Sequence, residues 1–345
     1  MNPITEPQQA FSKNFNGLKL AAVVLTLFGI GLFGYFIYAI GFREIYDGVI
    51  RFGIAGFAVI VFIYFLRILT RAYAWTLSVH EPLSLRLKDT IPAVIIGEAL
   101  SSTIPIGIMI SGTSKVIAVR KRIPMVAGFS SVATENLFYS LVTTIFLIAG
   151  AVVLLRGFAV DASLAAAINA LVVVLVILMS LGFLMVIRQW HAASAVCEWL
   201  YRKGFLQRLL ERGRADVRRF EDLIYGFYRR HPARFLPILL LEVAYHMLGV
   251  TETWFILSRL AGSSATILNS FLLESVSRLI TILFKLIPFV LGVDEAGAQF
   301  VGETVGLAVG VGVTIAVIRK GRILFWVAIG MVIIVKRGFS FRDVN

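Results

Sequence analysis

The chain of 345 residues contains one cysteine, Cys197, and four scattered histidines, His80, His191, His231 and His246. A single cysteine excludes an intrachain disulfide and any multi-cysteine metal or iron–sulfur site. The histidine spacing matches no zinc motif, so neither a metal nor another cofactor is expected. Charged residues make up only 15% of the chain, where a soluble domain carries about 25%. No glycine-rich nucleotide loop is visible. Alternation of apolar and polar residues over about ten positions is also missing, which excludes a transmembrane β-barrel.

What is present is 59% hydrophobic residues, in runs of 18 residues or more that mark an all-α, polytopic helical membrane protein. Residues 1–17 form a polar tail, 18–337 the transmembrane domain and 338–345 a second tail. The first run, 18–40, is too long for a signal-peptide core and reads as an uncleaved span. Apolar runs follow at 52–69, 124–152, 162–187, 235–257 and 265–289, with shorter pieces at 304–318 and 323–335. The segment 91–111 is broken by Pro92, Glu98 and Pro105. The expectation is about 7–8 spans and two re-entrant or broken helices.

The net charge is +13. Positive-inside loops and anionic lipid account for it better than nucleic acid, which is not expected as a partner. The 67–90 stretch carries Arg67, Arg71, Arg86 and Lys88, and the 188–234 connection holds 11 of the 33 basic residues. Both are placed in the cytoplasm, together with the N-terminus. Lys115, Arg120, Lys121 and Arg122 then return to the same side, making 91–111 re-entrant. After residue 290 the direction stays open, because Arg319/Lys320/Arg322 and Lys336/Arg337/Arg342 are equally basic. Within the connection, Val217, Phe220, Ile224 and Phe227 keep a helical 3,4,3 spacing. This reads as an amphipathic helix in the headgroup layer, or as a solvated hairpin.

Ten charges lie inside or beside apolar segments: Glu98, Lys115, Glu135, Glu242, Glu274, Arg278, Lys285, Asp294, Glu295 and Glu303. At about 3 kcal/mol each they cannot all face lipid, so an interior polar cavity is expected. Glu242 and His246 share a helical face and read as a buried hydrogen-bonded pair. Gly302, Gly306 and Gly310 read as a close-packing ridge.

The two halves, 52–187 and 235–337, echo each other. Pro105 and Pro288 differ by 183, Glu135 and Arg319 by 184, and the runs starting at 52 and 235 by 183. An inverted repeat places broken helices from opposite faces at the midplane. Its corresponding charges are reversed, Lys115 against Glu295 and Glu135 against Arg319, so pairing across the two halves is expected.

Pro288-Phe-Val-Leu-Gly-Val-Asp-Glu295-Ala, with Gly306-Leu and Ala316-Val-Ile-Arg319, resembles the signature of the lysylphosphatidylglycerol-synthase transmembrane family, the flippase-like domain. Pro105-Ile-Gly107, Lys115, Pro124 and Glu135 resemble that family's first motif. Phe289-Val290 stand where small residues are expected, Lys115 where arginine is commoner, and Glu135-Asn136 where an acid–arginine pair is usual. The resemblance implies a bundle of the bacterial inner membrane that moves a lipid or lipid-linked molecule between leaflets. An anionic phospholipid, or an isoprenoid or hopanoid lipid, is the expected partner. A stand-alone member is expected, because only ten residues follow the last apolar run, too few for the soluble aminoacyl-transferase domain of the lipid-modifying members.

The expected headgroup pathway comprises Glu98, Pro105, Gly107, Lys115, Glu135, Glu242, His246, Arg278, Pro288, Gly292, Asp294, Glu295 and Arg319. No catalytic constellation accompanies it, so the chain is not expected to be an enzyme. Three alternatives stand beside translocation. One is a scaffold docking a lipid-synthesis enzyme on the 188–234 surface, another an intramembrane lipid-modifying enzyme, and the third an ion-coupled solute carrier. The oligomeric state is open.

Overall fold

The computed structural model describes residues 41–103, 107–203, 207–282 and 288–337, together with a few positions between 31 and 39. The tails 1–17 and 338–345, most of the 18–40 run, Pro105 and Lys285 lie outside the described residues. Among the described residues, all regular structure is helical: α1 Phe42–Leu77, α2 Leu87–Thr103, α3 Gly107–Val119, α4 Met125–Gly157, α5 Ala162–Ile187, α6 Ala192–Arg202, α7 Gln207–Arg230, α8 Phe235–Leu260, α9 Ile267–Ile282, α10 Val293–Thr304 and α11 Val311–Arg337.

Helix length sorts these elements. The helices α1, α4 and α5, and the stretch Pro232–Leu260 containing α8, are long and apolar enough to cross a bilayer. With 27 residues α11 is also long enough, at about 1.5 Å per residue. By contrast α2, α3, α9 and α10 have 17, 13, 16 and 12 residues. At about 18–25 Å each they fall short of a core about 30 Å thick. They form two antiparallel hairpins. A Cβ on Gly97 of α2 would lie 3.0 Å from Lys115 Cγ on α3, and one on Gly297 of α10 would lie 3.6 Å from Ser277 on α9.

The first hairpin begins and ends at one end of the bundle, where Arg122 beyond α3 lies 3.4 Å from Asp89 at the start of α2. The same end holds the 78–86 turn and the 188–234 connection. Arg234 donates to the Val79 carbonyl at 3.0 Å, and Tyr225 donates to the Trp190 carbonyl at 2.5 Å. At the opposite end Phe158, Val160, Ala261, Ala265, Val305 and Leu307 join one apolar cluster. The second hairpin enters from there.

Element order repeats accordingly. The helices α2, α3 and α4 begin 180, 186 and 186 residues before α9, α10 and α11. Packing is reciprocal: α2 lies on α11 as α9 lies on α4, and α11 lies on α1 as α4 lies on α8. The equivalent helices α1 and α8 pack against each other. They run antiparallel, with Leu77 beside Arg234 and Phe52 beside Phe255. Equivalent neighbours that run antiparallel require a two-fold axis across the helices, which is an inverted repeat. Thr314 beside Gly48 and Trp326 beside Tyr64 make α11 parallel to α1. This fixes the direction left open after residue 290.

Several local expectations change. Arg67 and Arg71 are not loop residues, because α1 continues to Leu77 and buries both. Arg319, Lys320 and Arg322 are buried in mid-α11 rather than exposed in a basic turn. Gly306 and Gly310 lie between α10 and α11 with φ of 77° and 88°, so no glycine ridge forms on a single helix. The apolar stripe of α7 faces protein instead of lipid: α7 packs on α4 and α6, and Phe227 joins Ala74, Phe138 and Ile238 in a core. Glu221 of α7 accepts from the Ala193 amide at 2.9 Å, a favourable carboxylate at the α6 N-terminus.

Candidate functional site

Charged side chains from both halves meet in the interior. On α1, Arg71 lies 2.7 Å from Glu135 of α4 and 3.9 Å from Glu242 of α8. Its guanidinium stacks 3.9 Å from the Tyr139 ring centroid. One turn earlier, Arg67 lies 3.2 Å from Glu252 of α8 and 3.3 Å from Glu274 of α9. Glu274 also holds Arg319 of α11 at 2.7 Å, and Glu252 is bonded by Arg322. Arg322 stacks 4.0 Å from the Tyr64 ring, and Tyr64 donates to Glu98 at 2.8 Å. Stacked, bidentate-capable arginine is the cation suited to such buried pairing. Removing either partner would leave an uncompensated charge.

The two halves use opposite polarity. In the first half the cation stands on α1 and the carboxylate on α4, as Arg71–Glu135. In the second the carboxylate stands on α8 and the cation on α11, as Glu252–Arg322. Charge reversal between the halves therefore holds, but through other pairs than the sequence suggests. Neither Lys115–Glu295 nor Glu135–Arg319 forms among the described ion pairs. Lys115 is buried on α3 and makes no ion pair within 4 Å among the described residues. Glu295 pairs with Lys320 at 2.7 Å, with Asp294 3.5 Å from the same ammonium.

Glu295 has a structural task. It accepts from the Gly292 amide at 2.8 Å, which is half of a capping box at the start of α10. Gly292, with φ 77°, turns the chain there. Pro288 sits in the short turn Pro288–Val290, which packs on α2 of the opposing hairpin. Gly107 opens α3. Glu303 is exposed and accepts from Gln299 at 2.6 Å, outside the network.

Glu242 and His246 do not bond each other. His246 contacts Thr143 at 3.0 Å through Nε2 and Arg278 at 3.3 Å through Nδ1. Arg278, on α9, is the most open cation of the cluster, at 23% side-chain exposure, and lies 3.8 Å from Glu274. It is placed 11 residues into α9, so at about 1.5 Å per residue it sits near mid-depth.

Arg278 faces a cavity of about 710 Å³ between α4 and α5. The part of α5 up to Leu175 packs on the main core. From Leu178 onward α5 stands away from α4, with Leu178 and Ile187 59% and 72% exposed. Leu178, Met179, Phe183 and Val186 form the apolar wall, and Tyr139, Thr143 and Thr144 the α4 side. Arg278 lies at the inner end, and Gln189, Tyr225 and Arg229 at the end formed by the 188–234 connection. No group of three or more potential metal ligands exists among the described residues.

Arg67, Arg71, Glu252, Arg322, Tyr139 and Arg229 were not among the residues expected for the pathway. For Arg67 and Arg71 the available signal was their four-residue spacing, which puts both on one face of a helix. The cavity carried no motif at all, since it arises where α5 parts from α4.

The family described as the lysylphosphatidylglycerol synthase TM region matches residues 19–330. No curated protein and no solved structure matches the chain. The matched region contains both hairpins, the charge network and the α4–α5 cavity, and the chain belongs to the lysylphosphatidylglycerol synthase transmembrane-region family of lipid-related integral membrane proteins.

Proposed function

We propose that the protein moves a lipid with an anionic headgroup between the leaflets of the bacterial inner membrane and performs no covalent chemistry on it. The observation that carries this reading is the α4–α5 cavity. Its apolar wall suits acyl chains, and its two ends carry Arg229 and Arg278. A headgroup admitted at the end of the 188–234 connection would pass from Arg229 to Arg278 while its chains remain against α5. Charge supports an anionic cargo. The network holds six cations, Arg67, Arg71, Lys115, Arg278, Arg319 and Arg322, against five carboxylates, Glu98, Glu135, Glu242, Glu252 and Glu274. The inverted repeat supports alternating access, with one hairpin entering from each face.

The 188–234 end is assigned to the cytoplasm by its basic residues. With α1 beginning at the opposite face, the uncleaved span expected from the 18–40 run in the sequence would put the N-terminus in the cytoplasm.

The test is reconstitution into liposomes carrying tail-labelled phosphatidylglycerol or phosphatidylcholine, with a membrane-impermeant quencher reading outer-leaflet label. The protein accelerates exchange of phosphatidylglycerol, and Arg278→Gln slows it at least tenfold while the melting temperature holds. Unaccelerated exchange of both lipids removes phospholipid translocation. Equal rates for Arg278→Gln and the unaltered protein remove the cavity assignment.

A further inference from the structure

Two of the interior carboxylates, Glu252 and Glu274, are each met by more than one arginine, whereas Glu135 and Glu242 are not. Glu252 and Glu274 are contacted by Arg67, Arg278, Arg319 and Arg322. Among the described residues Glu135 and Glu242 share Arg71 alone at ion-pair distance, and Glu242 is the farther, at 3.9 Å. Glu242 is fully buried, and neither of its carboxylate oxygens accepts a hydrogen bond. A structural carboxylate at such depth is ordinarily held by several donors. Two carboxylates that face one guanidinium are instead the arrangement that holds a single exchangeable proton.

The geometry points to a proton-carrying site at Glu135 and Glu242, coupled to lipid movement. The inference rests on the translocation reading above and adds its energy source. Charged and titratable neighbours surround the pair. These are Arg71 on α1, Lys115 on α3, Tyr139 on α4, and Tyr245 and His246 on α8, with Arg67 and Arg278 beyond.

Two of these neighbours couple the site to the hairpins. Lys115 acts on both carboxylates from beyond ion-pair distance, and it rides on the re-entrant hairpin, its stem lodged against Gly97. When the hairpin holds Lys115 close, two cations balance two carboxylates. When it withdraws, the carboxylates retain one guanidinium and take up one proton. Arg278 supplies the link to cargo, because its contact with His246 lies one turn of α8 from Glu242. A proton delivered from water on one face to a Glu242 oxygen and released from it to water on the other leaves every covalent bond of the lipid unchanged. One proton carried with one singly anionic headgroup is electroneutral.

The test uses the full chain in liposomes that contain tail-labelled phosphatidylglycerol and an enclosed pH-sensitive dye, under pH gradients of either sign. A gradient of one unit shifts the steady-state leaflet ratio by up to about tenfold, reversing with the gradient, and the dye reports proton movement that follows the lipid. Glu242→Gln, which mimics the protonated state, abolishes the response of the leaflet ratio to the gradient, whatever its effect on the rate of lipid movement. Glu135→Gln gives the same result and serves as the second variant, with gel filtration confirming that each is folded. Unaltered protein that moves lipid with a ratio indifferent to both gradients overturns the proton inference alone. So does Glu242→Gln or Glu135→Gln with an intact response. No lipid movement by the unaltered protein overturns translocation and this inference together.

Discussion

Arg319 on α11 and Glu274 on α9 lie 2.7 Å apart, an ion pair that ties the second hairpin to the helix following it. Glu274 carries more than this pair, since Arg67 and Arg278 approach the same carboxylate at 3.3 and 3.8 Å. Glu274→Gln keeps the shape and removes the charge, leaving Arg67 and Arg319 buried with one carboxylate fewer. The expected loss is about 3–5 kcal/mol, read as a lowered thermal midpoint in detergent. Glu303→Gln, at an exposed site, changes stability by less than about 0.5 kcal/mol. Equal midpoints for the two variants would contradict the role given to Glu274.

Gly249 makes that carboxylate's position available. A Cβ there would lie 2.5 Å from Glu274 Oε1 and 3.2 Å from Arg67 Cζ. Gly249→Ala therefore pushes Glu274 off Arg67, at an overpacking cost of about 1–3 kcal/mol. Gly157→Ala, with nothing within 4 Å, is the control. Thermal unfolding of the two variants distinguishes a packing requirement from a general effect of adding a methyl group.

How much of this was legible in the sequence follows from where each signal lives. The runs at 124–152 and 162–187 became α4 and α5 within a few residues, because a long unbroken apolar stretch has one stable solution in lipid. The repeat was legible through its offset, and the structure adds the antiparallel packing of α1 on α8 that makes it inverted. The buried arginines were not legible as such. A cation at the end of an apolar run looks the same whether it meets water or a carboxylate, and the partners of Arg67 stand 185 and 207 residues away. Gly306 and Gly310 show the same limit from the other side. Four-residue spacing implies a shared face only on a helix, and both residues turn the chain with positive φ. For the candidate pathway, sequence brought forward Lys115, Glu135, Glu242, His246, Arg278 and Arg319, which the fold does gather. It placed Glu295 there too, although that side chain fastens the start of α10.

Phe289 and Val290 adopt φ of 56° and 48°, in the left-handed region where a β-branched residue is strained. These are the positions at which small residues were expected from the family resemblance. Glycine adopts the same backbone without that penalty, so Val290→Gly is expected to stabilise the protein by about 1 kcal/mol. A midpoint that rises in Val290→Gly and stays level in Leu291→Gly would identify strain as the cause. A fall in Val290→Gly would show that side-chain packing outweighs it.

At the end of the bundle bearing the basic connection, His80 in the 78–86 turn stands edge-on to His231, with ring centroids 5.2 Å apart. Burial holds His80 below the ordinary histidine range, and His231, Arg230 and Arg234 press the same way against a weaker opposing pull from Glu81. A base whose affinity for protons is lowered by folding binds more of them when unfolded. The contact is therefore fully stable above the ordinary histidine pKa of about 6.5 and weakens as pH falls through it. Protection of the amides in 78–86 and around His231, corrected for the intrinsic slowing of exchange in acid, should fall between pH 7.5 and 5.5, more than protection in α4 does. His80→Asn removes the titrating group and should flatten that dependence. A slope that survives His80→Asn would contradict the assignment to His80, and protection that rises on acidification would contradict the sign derived for it.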